Sequence, residues 1–153
     1  MRRRAFMVAV AATLSLSACS GAAVTGLSQM VYNATYKGQA TLLRAGQVPA
    51  NMPLPKLPLS MTMVLGQLGQ NFTGTFTVAD SSGQSVYAGN ITGKVTSAGA
   101  DITMVIPSPC AGTLYGSFTA PAAALDGTAA GRDCVANAPG NNVQITFTNL
   151  VRQ

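Results

Sequence analysis

Phe72-Thr73-Gly74-Thr75-Phe76 sets an apolar residue, a glycine and a second apolar residue at alternate positions, with hydroxyls between them. In an extended chain, positions i, i+2 and i+4 share one face. The same figure occurs at Tyr36-Lys37-Gly38-Gln39-Ala40, Val64-Leu65-Gly66-Gln67-Leu68 and Ile91-Thr92-Gly93-Lys94-Val95. It returns at Leu114-Tyr115-Gly116-Ser117-Phe118 and Leu125-Asp126-Gly127-Thr128-Ala129. Each glycine is therefore expected on the inner face, between two apolar side chains. Glycine weakens a strand interior unless backbone must approach closely or bend sharply. Strongly coiled sheets that close into small barrels need such kinks, whereas a flat sandwich gathers its glycines in turns. The repeat predicts an all-β fold, an antiparallel meander of about eight strands closed into a small barrel. Closure also removes the edges that open strands would leave sticky.

Working outward, period-two runs broken by Gly, Asn, Asp and Pro predict strands at 33–43, 59–68, 71–79, 86–96, 101–106, 111–119, 123–132 and 142–152. No segment carries a helical period. The connections are short, as hairpins require. The exception is 46–58, with prolines at 49, 53, 55 and 58. Proline cannot donate to a ladder, so this stretch reads as a loop over one end of the barrel. Its Met52, Leu54 and Leu57, with Leu59 directly after it, leave open a second reading, a hydrophobic lid over a ligand site.

The N-terminus reads as an address. Met1-Arg2-Arg3-Arg4 is a basic start, and Ala5 to Ala18 is an apolar run too short to span a bilayer comfortably. It ends in Leu16-Ser17-Ala18-Cys19, which resembles the bacterial lipobox. That resemblance implies a signal peptide over 1–18, diacylglycerol on the Cys19 thiol, and a fatty acyl chain such as palmitate on the new amine. Residues 19–32 then form a lipidated tether, and 33–153 the barrel domain. Buried acyl chains contribute about 0.8 kcal/mol per CH₂, so two or three hold a protein on a membrane durably. Ser20 follows the cysteine, where the inner-membrane retention signal of enterobacterial lipoproteins has Asp, and the expected site is the periplasmic face of the outer membrane. Loss of the first three arginines leaves six cations against four anions, which gives no electrostatic footprint for nucleic acid.

With Cys19 committed to lipid, Cys110 and Cys134 remain, and an even pair in an exported chain points to a disulfide. The loop it closes is of a length for which chain entropy gives about 3 kcal/mol. A hairpin turning near Ala120-Pro121-Ala122 brings the two cysteines nearly opposite. Setting Gly116 against Gly127 and Leu114 against Ala129 is one residue out of step with that pairing. Either a bulge or cysteines beyond the ladder would absorb the difference.

The composition excludes much chemistry. The chain has no His, no Glu and no Trp, and its charged residues are only 8% of the total. Ser-His-Asp and Cys-His sites are absent, and four scattered Asp leave little for paired-carboxylate hydrolysis. No cofactor, metal or catalytic residue is expected. Asp101 and Asp126 read as turn-side residues, and Arg132-Asp133 as an exposed rim pair. Asn33, Asn71 and Asn90, each two residues before Thr, read as turn asparagines preceding strands. The outer faces, Thr73, Thr75, Thr77, Thr92, Lys94, Ser117, Thr146 and Thr148 among them, lack the apolar surface and aromatic girdles of an embedded barrel.

From Met61 to Arg152, about 60% of the chain, the sequence resembles a group of small bacterial lipoproteins of unknown function. The residues that carry the likeness are Leu65-Gly66-Gln67, Phe72-Thr73-Gly74-Thr75 and Ile91-Thr92-Gly93, then Cys110-Ala111-Gly112-Thr113, Gly131-Arg132-Asp133-Cys134 and Ile145-Thr146-Phe147. It implies an up-and-down barrel similar in outline to lipocalins and avidin, without the lipocalin Gly-x-Trp signature. The functional expectation is a non-enzymatic lipoprotein that binds a small apolar ligand or serves as an interaction module. Met61, Met63, Phe72, Phe76, Met104, Leu114 and Phe118 are the candidate ligand-lining residues, with Ile91 and Ile102 beside them. The alternative is an envelope structural or assembly accessory that engages a protein partner through the proline-rich loop.

Overall fold

The computed structural model describes residues 32–45, 56–107, 110–119, 124–134 and 142–153. The expected signal peptide, Cys19, most of the expected tether and the loop residues 46–55 lie outside them. Eight antiparallel strands follow one another round a closed barrel. They are β1 (Ala34–Ala45), β2 (Leu59–Leu68), β3 (Asn71–Ala79), β4 (Ser85–Val95), β5 (Gly99–Ile106), β6 (Gly112–Thr119), β7 (Ala124–Arg132) and β8 (Asn142–Arg152). Every strand pairs on both sides, β8 closing on β1.

Register sets the width. Paired residues run from Ala34 through Leu65, Gly74, Ile91, Met104, Leu114, Gly131 and Val143, and return to β1 at Arg44, ten residues along. That stagger over eight strands corresponds to a tilt of about 40° and a backbone diameter of about 16 Å, room for side chains to meet in the middle.

The interior glycines let them meet. Phe72 stands opposite Gly93 and Phe76 opposite Gly89, while Gly127 lies between Phe118 on one neighbouring strand and Phe147 on the other. A Cβ on Gly93 would sit 2.6 Å from Phe72 Cε1, and one on Gly127 would sit 2.6 Å from Phe147 Cζ. Each ring thus lies in the space that its glycine partner leaves open, the small-against-large filling of narrow barrels.

Gly38, Gly74, Gly93, Gly116 and Gly127 alternate with buried residues, as the repeat predicts. Gly66 does not. Met61, Met63 and Leu65 point inward, so Val64, Gly66 and Leu68 are exposed. The β6–β7 register also differs from expectation. Gly116 pairs with Ala129, and Phe118 with Gly127. Two facing glycines would leave a void that the Phe118 ring instead occupies. The hairpin ladder is continuous, and the cysteines lie beyond its ends.

In β8, Thr148 and Asn149 are both exposed before Leu150 returns to the core. This bulge shifts the register against both neighbours, with Asn149 at φ 50° and its N–H donating to the Asp126 carboxylate. Asp101 and Asp126 lie within strands, and Asn90 is an exposed residue in the middle of β4 rather than a turn asparagine. Asn71 opens β3, and Asn33 immediately precedes β1.

Candidate functional site

Among the described residues, three places carry polar or ligand-type chemistry: the lumen, the barrel end that holds the disulfide, and a groove on the outer wall. In the lumen, Met61, Met63, Phe72, Phe76, Met104, Leu114 and Phe118 are all buried in one contiguous apolar cluster with Ile91 and Ile102. Tyr32 joins them. Its ring lies 5.7 Å from Phe72 and 5.2 Å from Phe118, the latter edge-on, and Phe72 and Phe118 are 5.6 Å apart. The residue that ends the expected tether therefore plugs the barrel where the chain enters. Its N–H donates to Gln67 Oε1 at 2.7 Å, and Asn33 accepts from the Gln67 N–H.

Tyr36 is a polar residue in the lumen. It is fully buried, and its hydroxyl has no hydrogen-bond partner among the described residues. Burial pushes the pKa values of both Tyr32 and Tyr36 up, so these phenols are neutral at ordinary pH.

At the other end, Arg44, Tyr87 and Asp133 meet inside the barrel mouth. Tyr87 Oη donates to Asp133 Oδ2. Arg44 Nη2 lies 3.5 Å from the same carboxylate oxygen, and Arg44 Nε donates to Tyr87 Oη at 3.1 Å. The guanidinium carbon is 5.2 Å from the Tyr87 ring centre. The Asp133 side chain is fully buried and that of Arg44 is 11% exposed. Asp133 is thus no rim residue, and its cation is Arg44, not the exposed neighbour Arg132. The β7 alternation through Ala129 and Gly131 carries Asp133 inward.

Burial first, then the hydrogen bond to Asp133, pushes the Tyr87 phenol far above its ordinary value. A phenol held protonated between a cation and an anion is neither nucleophile nor base at neutral pH. The cluster works as a clasp joining β1, β4 and the end of β7. Among the described residues no group of three or more His, Cys, Asp or Glu is placed to hold a metal.

Cys110 and Cys134 form a disulfide beside this clasp, with Cα atoms 4.8 Å apart. It joins the segments flanking the β6–β7 hairpin, and Cys134 follows Asp133 directly. The Cys110→Ser/Cys134→Ser double variant is expected to lose about 2–5 kcal/mol in a denaturant melt. Asp80 fastens the same end of the barrel. It accepts from the Ser82 hydroxyl at 2.6 Å and from the backbone N–H groups of Ser82, Gln84 and Lys56, tying the β3–β4 turn to the end of the proline-rich loop. These bonds, that from the Ser82 hydroxyl foremost, hold its carboxyl below the usual range.

The groove on the outer wall is lined by residues of β3, β4, β5 and β6, with Tyr115 at one side. Sequence reading places Thr73, Thr92 and Lys94 of this lining outward but does not single out the groove. The chain matches no protein-family model, no curated protein and no solved structure, so its likeness to small bacterial lipoproteins rests on the motifs quoted above.

Proposed function

We propose that this chain is a lipid-anchored, non-enzymatic module of the bacterial cell envelope, held at the periplasmic face of the outer membrane through Cys19, whose barrel acts through its outside. The observation that carries the second half is the filled interior. Phenylalanine rings lie over glycines across the strands, and Tyr32 plugs the end where the tether enters. The address rests on the basic start, the apolar run and Leu16-Ser17-Ala18-Cys19. The threonine-rich outer wall, with exposed apolar residues scattered rather than banded, favours a barrel beside the membrane over one embedded in it.

The small-apolar-ligand reading draws its support from Tyr36, the register partner of Met63, whose buried hydroxyl would suit a polar atom on a lumenal guest. The accessory reading draws on the proline-rich loop, whose last residues are exposed, Leu57 at 75%.

Native mass spectrometry of the protein extracted from its own envelope tests these readings together. The expected mass is that of the chain from Cys19 with its acyl groups and no lumenal guest. Cys19→Ala is expected to move the protein entirely out of the membrane fraction. Retention of that variant after a high-salt wash would place the anchor elsewhere, and a co-purifying apolar molecule would favour the ligand reading.

A further inference from the structure

We infer that the groove on the outer wall, bordered by Tyr115, is a binding site for a neutral oligosaccharide. The argument begins with which groups are already engaged. Closure uses the backbone donors and acceptors of the wall in the ladders, so a partner here must be read by side chains. An extended peptide that adds a strand needs a free edge, and all eight strands pair on both sides.

The register lines up the side chains that remain. Thr73, Thr92 and Thr103 are direct cross-strand neighbours, and the row ends on Tyr115. Two residues along the strands, Asn71, Lys94 and Asp101 form a second row beside the first. All of them line the groove. None of these side chains makes a hydrogen bond or ion pair among the described residues, although Lys94 and Asp101 are directly paired in register. The wall thus presents hydroxyls, an amide, one cation and one anion with their hydrogen-bonding capacity unspent.

The balance of groups selects the ligand. The charges of Lys94 and Asp101 oppose each other at adjacent positions, so the groove offers no net field to nucleic acid or another polyanion. Its threonine rows lack the contiguous apolar surface that a hydrophobic partner would need. Tyr115 is 65% exposed and presents an aromatic face beside polar groups. A pyranose ring has the matching two-sided character, with an apolar C–H face to stack on the ring and equatorial hydroxyls to meet donors and acceptors. Successive strands repeat at about 4.8 Å, so a chain of sugar rings laid across β3, β4 and β5 meets a fresh hydroxyl at each strand. This inference rests on the barrel's acting through its outside and not on its membrane address. An unmodified Cys19 would overturn the address alone.

The test is to apply the detergent-solubilised mature protein to immobilised neutral hexose and N-acetylhexosamine oligomers, with sulfated oligomers alongside. Binding to a neutral oligomer, little changed by salt, is the expected result. Titration of that oligomer should then show Tyr115→Ala weakening binding about tenfold or more, the scale of a lost stacking contact. Tyr115→Phe, which keeps the ring, should stay close to the parent, as should Val64→Ala, which lies outside the groove. The melting temperature of Tyr115→Ala should be unchanged, which separates lost binding from lost folding. Binding of no neutral oligomer, binding of sulfated oligomers alone with steep salt dependence, or equal binding by parent and Tyr115→Ala would each overturn the assignment.

Discussion

Gly116→Val and Gly93→Val are each expected to lower stability by more than the 1–3 kcal/mol that overpacking a dense core usually costs. The excess comes from what the new side chain would meet. A Cβ on Gly116 would lie 2.6 Å from Ala129 Cα and 2.7 Å from the Thr128 carbonyl carbon, both backbone atoms of the paired strand. Backbone inside a closed ladder cannot step aside without breaking register. At Gly93 the obstacle is different. A Cβ would stand 2.5 Å from the Asp101 carbonyl oxygen and run into the Phe72 ring, which would have to leave its place against Tyr32 and Phe118. The neighbouring outward changes Thr92→Val and Ser117→Val, at exposed positions, should stay within about 1 kcal/mol. Thermal melts of the mature protein decide. Four variants that melt alike would mean that the glycines do not face a packed interior, and the account of how the lumen is filled would fail with them.

The strand boundaries were legible because period two and turn residues agree along most of the chain. The observed β2, β3 and β8 coincide with the predicted segments, and the others shift by at most two residues. What period two does not reveal is phase. In Met63-Val64-Leu65 both faces are apolar, so the glycine pattern alone chose the wrong face for Gly66. Register failed where packing rather than pattern decides it, since the Phe118 ring has Gly127 opposite it, where the expected register would have set Leu125. The bulge at Thr148 and Asn149 left no signal beyond an interrupted alternation.

The clasp was legible in principle. Arg44 continues the inward series Tyr36, Gly38, Ala40 and Leu42; Tyr87 continues Val95, Gly93, Ile91 and Gly89; Asp133 continues Leu125, Gly127, Ala129 and Gly131. Extending the alternation past the last apolar residue would have turned all three inward. Charged side chains ordinarily lie at the exposed rim, whereas Arg44 and Asp133 are buried as a pair. The candidate ligand-lining residues were found in the lumen, but sequence does not show that glycines opposite phenylalanines let those same side chains fill it.

Asp133→Ala is expected to cost about 3–5 kcal/mol, the range for removing one partner of a buried ion pair. The loss has two sources. Arg44, 11% exposed at its side chain, would be left with its buried charge less well compensated, and the Tyr87 hydroxyl would lose its acceptor. Asp133→Asn should cost less, since the amide oxygen still accepts from Tyr87. An Arg44→Met/Asp133→Leu double variant should recover much of the loss, because apolar residues of similar volume often replace a buried pair at little cost. The same clasp predicts an alkaline limit. Tyr87 titrates above its unfolded value, so the contribution of its hydroxyl is complete below about pH 10 and declines as pH rises further. Tyr87→Phe should therefore be less stable than the parent at neutral pH and lose less stability in alkali. Denaturant melts across pH would show this as converging curves. Parallel curves would mean that the Tyr87 proton is not part of what holds β1, β4 and β7 together at this end of the barrel.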